Sequence, residues 1–261
     1  MDLGIKGKTA FVLGASQGIG AAIATRLAAE GTNVILASRN MEKLSALADK
    51  LKADHGINAE AHGIDMTDAA AVAEMCEKIR SDFKPDILLN NTGGPPPGTA
   101  TGVSDEVWGD AIQSLLMSLI RVSEAALVAM QDRGWGRILT VASSGIIQPI
   151  PTLPISNTVR SAFVGFSKSL SNQVAKDGIT VNVIVPGRID TDRAKAIDNG
   201  VSKNQGLDIE EVRKRSRATI PTGRYGTPEE FADVAVFHMS DLAGYVTGSM
   251  IRVDGGSVKS V

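Results

Sequence analysis

The stretch that decides the fold is TAFVLGASQGIGAAIATRLAAE, residues 9–30. Its first residues form an apolar run that is typical of a buried strand, and residues 18–30 have the spacing of an amphipathic helix. Between them, glycines let the backbone turn sharply and approach a pyrophosphate, whose charge would meet free N–H groups at the helix N-terminus. The alternative is a glycine turn needed only for tight packing. The order of strand, turn and helix favours dinucleotide binding, and the predicted binding residues are Gly14, Ser16, Gln17, Gly18, Ile19 and Gly20.

The rest of the chain alternates short apolar runs with helical stretches. This order predicts an α/β fold: one Rossmann-type domain over residues 1–261, with a doubly wound parallel sheet of about seven strands and helices on both faces. Residues 187–226 contain no clear strand, and we predict a mobile flap there, over the strand ends. The predicted strands are 9–13, 33–37, 86–89, 137–142, 180–185 and 249–253, with a weaker one at 57–64. The predicted helices are 18–30, 41–54, 67–82, 104–132, 154–176 and 228–240.

Composition limits the possible partners. A net charge of -2 gives no electrostatic reason to expect nucleic acid or an anionic membrane. No uninterrupted apolar run approaches the roughly 18 residues of a membrane span. The first residues lack the pattern of a secretory signal, and the single cysteine, Cys76, cannot form an internal disulfide. A cytoplasmic, reducing compartment is therefore expected. The three histidines have no metal-ligand spacing, so no metal site is predicted.

The second predicted strand ends at Ser38-Arg39-Asn40, where dinucleotide folds read the adenosine ribose. An acidic residue there would accept a hydrogen bond from a free 2′-hydroxyl, whereas an arginine suits a 2′-phosphate. Arg39 therefore favours NADP over NAD as the cofactor. The alternative is a solvated arginine at a helix start, and Gln17 supplies no second positive charge in the glycine turn.

Further motifs follow the later strands in a fixed order. They are Asp65-Met66, Asn90-Asn91-Thr92-Gly93, Gly136-Arg137-Ile138, Pro186-Gly187 and Val253-Asp254-Gly255-Gly256. On these motifs the sequence resembles the classical short-chain dehydrogenase/reductase family over essentially its whole length. It is most similar to the β-ketoacyl-acyl-carrier-protein-reductase-like branch. The resemblance implies a small-molecule carbonyl or alcohol substrate and a homo-oligomer, either a tetramer or a dimer.

The same resemblance implies roles for residues at the strand ends. Asp65 and Met66 would contact the adenine, Asn91 the adenosine ribose, and Ile189 the nicotinamide carboxamide. The preceding Asn90 is expected to bond neighbouring strands instead of the cofactor. The remaining cofactor-binding positions implied by the resemblance are Gly93, Arg160, Pro186 and Gly187.

The family's catalytic set is normally an asparagine, a serine, a tyrosine and a lysine, and the resemblance implies that only the serine is kept, as Ser143. The alternative for Ser143 is a cap on the chain that leaves the strand. The asparagine, tyrosine and lysine positions carry Leu115, Ser156 and Arg160. No shift of alignment restores the motif, because neither tyrosine of the chain is followed four residues later by lysine.

These replacements have unequal consequences. Arg160 lies one helical turn after Ser156, so it can still reach the ribose hydroxyls and keep a positive charge near the nicotinamide. Ser156 is a much weaker acid than a phenol, whose pKa is about 10. Ser143 and Ser156 could instead donate hydrogen bonds to a carbonyl oxygen while Arg160 or Arg188 stabilises an alkoxide and water delivers the proton.

Three functions stay open at this stage. The first is a divergent NADP-dependent oxidoreductase that transfers a hydride between nicotinamide and a ketone or alcohol, possibly of the 3-oxoacyl type. The second is a catalytically silent NADP-binding sensor or regulatory protein. The third is a partner subunit that works through association with an active relative.

Overall fold

A computed structural model describes residues 1–260 of the chain. Seven parallel strands form one sheet, and together with the helices they confirm the predicted doubly wound fold. The strands are β1 (Thr9–Leu13), β2 (Asn33–Ser38), β3 (Ala59–Gly63), β4 (Ile87–Asn90), β5 (Gly136–Val141), β6 (Ile179–Pro186) and β7 (Met250–Val253). Their order across the sheet is β3-β2-β1-β4-β5-β6-β7, so the chain reverses direction across the sheet beside β1 and β4. Open α/β sheets bind ligands at such a switch point, beyond the carboxyl ends of the strands.

Nine α-helices connect and flank these strands in the described part of the chain. They are α1 (Gly18–Ala29), α2 (Met41–His55), α3 (Ala69–Lys78), α4 (Asp105–Ile112), α5 (Ser118–Arg133), α6 (Pro154–Val174), α7 (Asp192–Gln205), α8 (Ile209–Ala218) and α9 (Pro228–His238). Several begin at a side chain that accepts a hydrogen bond from a free backbone N–H. Thr227 and Glu230 of α9, for example, form a reciprocal capping box.

The sheet separates two apolar layers. Leu36 and Val12 face the layer that holds α1, α2 and α9, with Phe231 of α9 fully buried there. Phe11 and Leu88 face the opposite layer, which holds α3, α5 and α6. Because both faces are covered, β1, β2, β4, β5 and β6 are buried almost throughout, which is why continuous apolar runs predicted them correctly. The edge strands β3 and β7 are partly exposed and contain polar residues.

The single helix predicted over 104–132 contains an irregularity. A π-helical segment, Gln113–Met117, joins α4 to α5. Such a segment adds one residue to a turn and commonly marks a functional site. It places Leu115 in the protein interior, where only 3% of its surface is exposed.

The continuous helix Asp105–Arg133 is long and apolar enough to cross a membrane by length and composition, although its sequence has no uninterrupted apolar run of that length. Half of its most apolar window is buried inside the protein. Leu119, Val122 and Ala126 pack against the sheet. This packing accounts for the helix's apolar composition.

The segment 187–226 is largely helical, as α7 and α8. The helical spacing used above missed both helices because they are strongly charged and bury few side chains, of which Val212 is the only one on α8. A buried carboxylate holds the segment together: the Tyr225 hydroxyl donates to Asp198 Oδ2 at 3.1 Å, and an Arg188 guanidinium nitrogen lies 3.4 Å from Asp198 Oδ1. The predicted mobility of this segment stays a prediction.

Candidate active site

The glycine turn after β1 is packed as tightly as its sequence suggests. A Cβ on Gly20 would lie 2.2 Å from the Gly14 carbonyl oxygen, and one on Gly14 would lie 2.6 Å from the Asn91 carbonyl oxygen. Gly14 and Gly18 also have positive φ angles, +63° and +58°. Tight packing, the alternative reading, therefore applies at Gly14 and Gly20. It does not exclude cofactor binding, because the same turn leads directly into α1.

The N-terminus of α1 has free backbone N–H groups that can bind an anion. Its first residue follows Gln17, whose side chain makes no capping hydrogen bond, and its first turn holds no acidic residue. Six other helices begin with a side-chain cap: α2, α3, α4, α7, α8 and α9. Besides α1, the uncapped helices are α5, which continues from the π-helical segment, and α6, which begins with a proline. The free N–H groups of α1 need an acceptor, and a pyrophosphate supplies one. The residues of the turn therefore fit a dinucleotide.

The chain beyond β3 forms the predicted adenine end of the site. Hydrogen bonds from the backbone N–H and the hydroxyl of Thr67, with a smaller contribution from Arg39, lower the pKa of the Asp65 carboxyl. The Met66 carbonyl oxygen accepts a 2.8 Å hydrogen bond from the Ser118 hydroxyl, which anchors this loop to α5. The adenine contacts of Asp65 and Met66 stay a prediction.

The end of β2 presents two positive charges where the sequence indicated one. Arg39 is exposed at the strand end. Lys43, in the first turn of α2, donates through Nζ to Gln17 Oε1 at 3.0 Å. Lys43 was not among the predicted residues, because only the packing of α2 beside the glycine turn brings it there. Its position four residues after Arg39, in the first turn of the next helix, was the feature of the sequence that could have indicated it.

The two asparagines after β4 divide their roles. Asn90 is fully buried, and its amide nitrogen donates to the hydroxyls of Ser123 at 2.9 Å and Thr140 at 3.4 Å. The interpretation that Asn90 bonds neighbouring elements is confirmed. Asn91 donates from its side chain to the Gly14 carbonyl oxygen at 3.3 Å, so it ties the β4 end to the glycine turn.

The turn after β6 closes the nicotinamide end of the predicted site. Gly187 approaches backbone so closely that a Cβ there would lie 2.6 Å from the Asp254 Cα. The next residues are fixed too: Ile189 is buried and pairs with Gly226 in an isolated bridge. Thr191, which caps α7, lies above the glycine turn, with its methyl carbon 3.5 Å from the position of a Cβ on Gly18. Thr191 is a second residue that the sequence analysis did not select.

Ser143 lies two residues beyond β5 and is partly exposed. Its Oγ accepts a 3.2 Å hydrogen bond from the Gly145 N–H, so Ser143 does cap the chain that leaves the strand, and its catalytic role stays a prediction. That bond uses a lone pair, and the hydroxyl proton stays free to be donated to a substrate oxygen.

Ser156 and Arg160 share the buried face of α6, with 5% and 8% of their surfaces exposed. The Arg160 guanidinium donates to three carbonyl oxygens: Val141 at 3.0 Å, Thr92 at 3.2 Å and Gly93 at 3.4 Å. These bonds join the β4 loop to the end of β5. The sequence predicted that Arg160 reaches the ribose hydroxyls. It did not predict that the guanidinium donates to three backbone carbonyl oxygens.

The surroundings of Arg160 are apolar and positively charged. Burial, together with the nearby charge of Arg193, lowers the pKa of Arg160 to about 10. Leu115, Leu119 and Phe163 line a small cavity beside its guanidinium. Arg160 therefore stays protonated at neutral pH and creates a positive field in a poorly solvated site.

Neither tyrosine of the chain supplies the phenolic acid that is missing at position 156. Tyr225 is buried and its hydroxyl donates to Asp198, whereas Tyr245 is fully exposed. Arg188 also pairs with Asp198, so its charge is already balanced. Within residues 1–260, no group of three or more histidine, cysteine or acidic side chains could hold a metal ion.

A family model described as enoyl-(acyl carrier protein) reductase matches residues 14–258. The chain belongs to the short-chain dehydrogenase/reductase family. It is 37% identical over 257 residues to the 3-oxoacyl-(acyl-carrier-protein) reductase FabG of Escherichia coli (strain K12), covering 97% of this chain and 98% of FabG.

Solved structures of this family superpose closely. L-sorbose reductase from Gluconobacter frateurii, solved with NADPH and L-sorbose, has a TM-score of 0.94 at 35% identity and full coverage of both chains. YwfH, described as an NADPH-dependent reductase involved in bacilysin biosynthesis, has a TM-score of 0.92 at 32% identity, covering 98% of this chain and 100% of its own. The curated relatives and these structures are reductases, so the chain is a member of a family of oxidoreductases.

Proposed function

We propose that this chain is an NADPH-dependent reductase that transfers a hydride to a carbonyl group without a tyrosine acid. The observation that carries the proposal is the uncapped N-terminus of α1 beside Thr191, with Ser143 beyond the end of β5 at the same edge of the sheet. NADPH, which is present in the related L-sorbose reductase structure, supplies the hydride when bound. The free N–H groups of α1 would hold its pyrophosphate.

Two side chains would act on the substrate oxygen. Ser143 donates its free hydroxyl proton as a hydrogen bond to the carbonyl oxygen, while its own Oγ is held by the Gly145 N–H. Arg160, fixed by three backbone carbonyls, places its charge near the oxygen that becomes negative. Because a guanidinium holds its proton at neutral pH, water supplies the proton that completes the alcohol.

The finer assignments extend this proposal. The relationship to FabG favours a 3-oxoacyl compound as one candidate substrate. We also propose a homo-oligomer, a tetramer or dimer, on the family resemblance, and a cytoplasmic location, on the single cysteine, which cannot form an internal disulfide. Size-exclusion chromatography with light scattering would measure the oligomer, and a monomer at micromolar concentration would contradict that part.

The proposal predicts that Arg39 and Lys43 select NADPH over NADH. Each exposed charge would contribute about 1–2 kcal/mol to phosphate binding, so each single change to alanine should raise the dissociation constant for NADPH about tenfold. The affinity for NADH should stay the same, because NADH has no 2′-phosphate. Fluorescence titration of both cofactors measures this directly.

Lys50→Ala is a matched control, because Lys50 also lies exposed on α2 but pairs with Asp54. It should leave both affinities unchanged. Equal losses for NADPH and NADH in the Arg39→Ala variant would show that the residue supports the fold of the site and does not read the phosphate.

A second function, NADPH binding without turnover, is favoured by one observation. The Arg160 guanidinium donates to three backbone carbonyl oxygens, so few of its N–H groups are left for a substrate or a cofactor. A protein that binds NADPH tightly but does not oxidise it with any carbonyl compound of the panel would be a sensor, a regulatory protein or a partner subunit. NADPH oxidation assays on a ketone panel, with cofactor binding measured in parallel, separate the two functions.

A further inference from the structure

The two buried arginines of this protein have different surroundings. Arg137 lies 3.6 Å from an Asp241 carboxylate oxygen. Arg160, of which 8% is exposed, has no carboxylate within 4.0 Å among residues 1–260. Its hydrogen bonds to carbonyl oxygens satisfy donors but do not neutralise its charge. A buried charge without a counter-charge is costly, so this site is incomplete as it stands.

A second arginine without a carboxylate lies beside it. Arg193, in the first turn of α7, donates to the Pro95 carbonyl oxygen at 3.3 Å and thereby reaches the loop after β4. Arg160 donates to the Gly93 carbonyl oxygen of the same loop, and an Arg193 guanidinium nitrogen lies 3.2 Å from the position of a Cβ on the next residue, Gly94. Both guanidinium groups therefore contact neighbouring residues of this loop, and the charge of Arg193 helps to lower the pKa of Arg160. The acidic side chains next to it in sequence do not neutralise it, because Asp190 pairs with Arg213 and Asp192 with Lys195.

These two charges reach the loop after β4 from different elements. Arg160 comes from α6 and donates to the Thr92 carbonyl oxygen, and Arg193 comes from α7 and donates to the Pro95 carbonyl oxygen. Arg193 is exposed, so a ligand that enters the cleft can reach it. Guanidinium groups bind carboxylate and phosphate oxygens through paired N–H donors.

We propose that the substrate of the reductase is an anion, an oxo acid or an oxo compound with a phosphate, whose anionic group binds Arg193 beside Arg160. This inference rests on the proposed function, since it specifies the substrate class of the same site. It also gives α7 a role, because the anionic group of the substrate would connect Arg193 of α7 with Arg160 of α6.

The test measures binding to the protein saturated with NADP⁺, so that the cofactor's own phosphates do not compete. Malonate, methyl phosphate and the neutral malonamide are titrated by calorimetry. Malonate or methyl phosphate should bind at least about tenfold more tightly than malonamide, and the stronger of the two identifies the charged group. Arg193→Gln should remove that difference, and Arg193→Lys should keep part of it.

Arg80→Gln is the matched control, because this exposed arginine pairs with Glu77 away from the cleft, and it should bind anions like the natural protein. Equal affinity for malonate, methyl phosphate and malonamide would overturn the proposal. So would an Arg193→Gln variant that loses NADP⁺ affinity but keeps anion binding, because Arg193 would then serve the cofactor.

Oxidation of NADPH by a 2-oxo acid and by its methyl ester separates this inference from the proposed function. Faster oxidation with the acid supports both. Equal rates would keep the reductase and overturn the anionic substrate. Anion binding as expected, without oxidation of NADPH by any carbonyl compound, would keep the anion site and overturn the reductase.

Discussion

Replacing Gly20 by alanine should weaken NADPH binding by about 100-fold or more and lower the free energy of unfolding by about 3 kcal/mol. The added Cβ would lie 2.2 Å from the Gly14 carbonyl oxygen and 2.7 Å from the Asn91 amide nitrogen. Backbone cannot rotate away as a flexible side chain can, so α1 must shift. Losing even one or two charge-assisted bonds from its N-terminus to a pyrophosphate weakens affinity by about 100-fold.

Gly109→Ala is the control for this change. Gly109 lies in α4, is exposed, and has no atom within 4 Å of the position of an added Cβ. Alanine there should stabilise the protein by up to about 1 kcal/mol and leave NADPH affinity unchanged. Urea unfolding and NADPH fluorescence measure both quantities. A Gly20→Ala protein that binds NADPH normally would show that the cofactor does not use the α1 N-terminus.

Replacing Ser143 by alanine should lower kcat/KM for NADPH-dependent carbonyl reduction by about 100-fold to 1000-fold. The Ser143 hydroxyl is partly exposed, and its oxygen accepts from the Gly145 N–H, which leaves its proton for a substrate oxygen. Cofactor affinity should not change, because Ser143 is not among the predicted cofactor contacts. Stability should fall by about 1 kcal/mol at most, the value of the lost cap to Gly145.

Two variants make this prediction specific. Ser143→Thr keeps a hydroxyl and should retain part of the activity, and Ser169→Ala, on the exposed surface of α6, should retain all of it. An unchanged kcat/KM in Ser143→Ala would leave Ser143 with only its confirmed capping role. Activity would then depend on Ser156 or Arg160.

The sequence predicted most of the sheet, because β1, β2, β4, β5 and β6 are continuous apolar runs buried on both faces. The edge strand β3, AEAHG, lacks such a run, and its signal in the sequence is correspondingly weaker. The sequence also predicted the glycine turn. Glycines at positions 14 and 20, so near a strand end, indicate that backbone segments approach each other closely there. The family resemblance added the strand-end motifs. The cofactor-binding residues were predicted from those motifs, and their contacts with the cofactor stay predictions.

Other features depend on contacts that no local pattern contains. Helices α7 and α8 bury little apolar surface, so their periodicity is weak, and the buried Asp198 that stabilises them bonds to residues far away in the sequence. Lys43 reaches Gln17 only through the packing of α2. Arg160 was expected to face the ribose because helical spacing gives its side of the helix but not its partners.

We propose that this chain transfers a hydride although α6 carries Ser156 and Arg160, where the family resemblance implies a tyrosine and a lysine. The most direct test follows deuterium from NADPH labelled at nicotinamide C4 into the carbonyl carbon of a ketone, oxo acid or ketoacyl thioester. The natural protein is compared with the Leu115→Asn, Ser156→Tyr, Arg160→Lys triple variant. We predict that the natural protein oxidises NADPH and that deuterium appears in the alcohol. A natural protein that transfers no deuterium beside a triple variant that does would contradict the account and assign a binding or regulatory role.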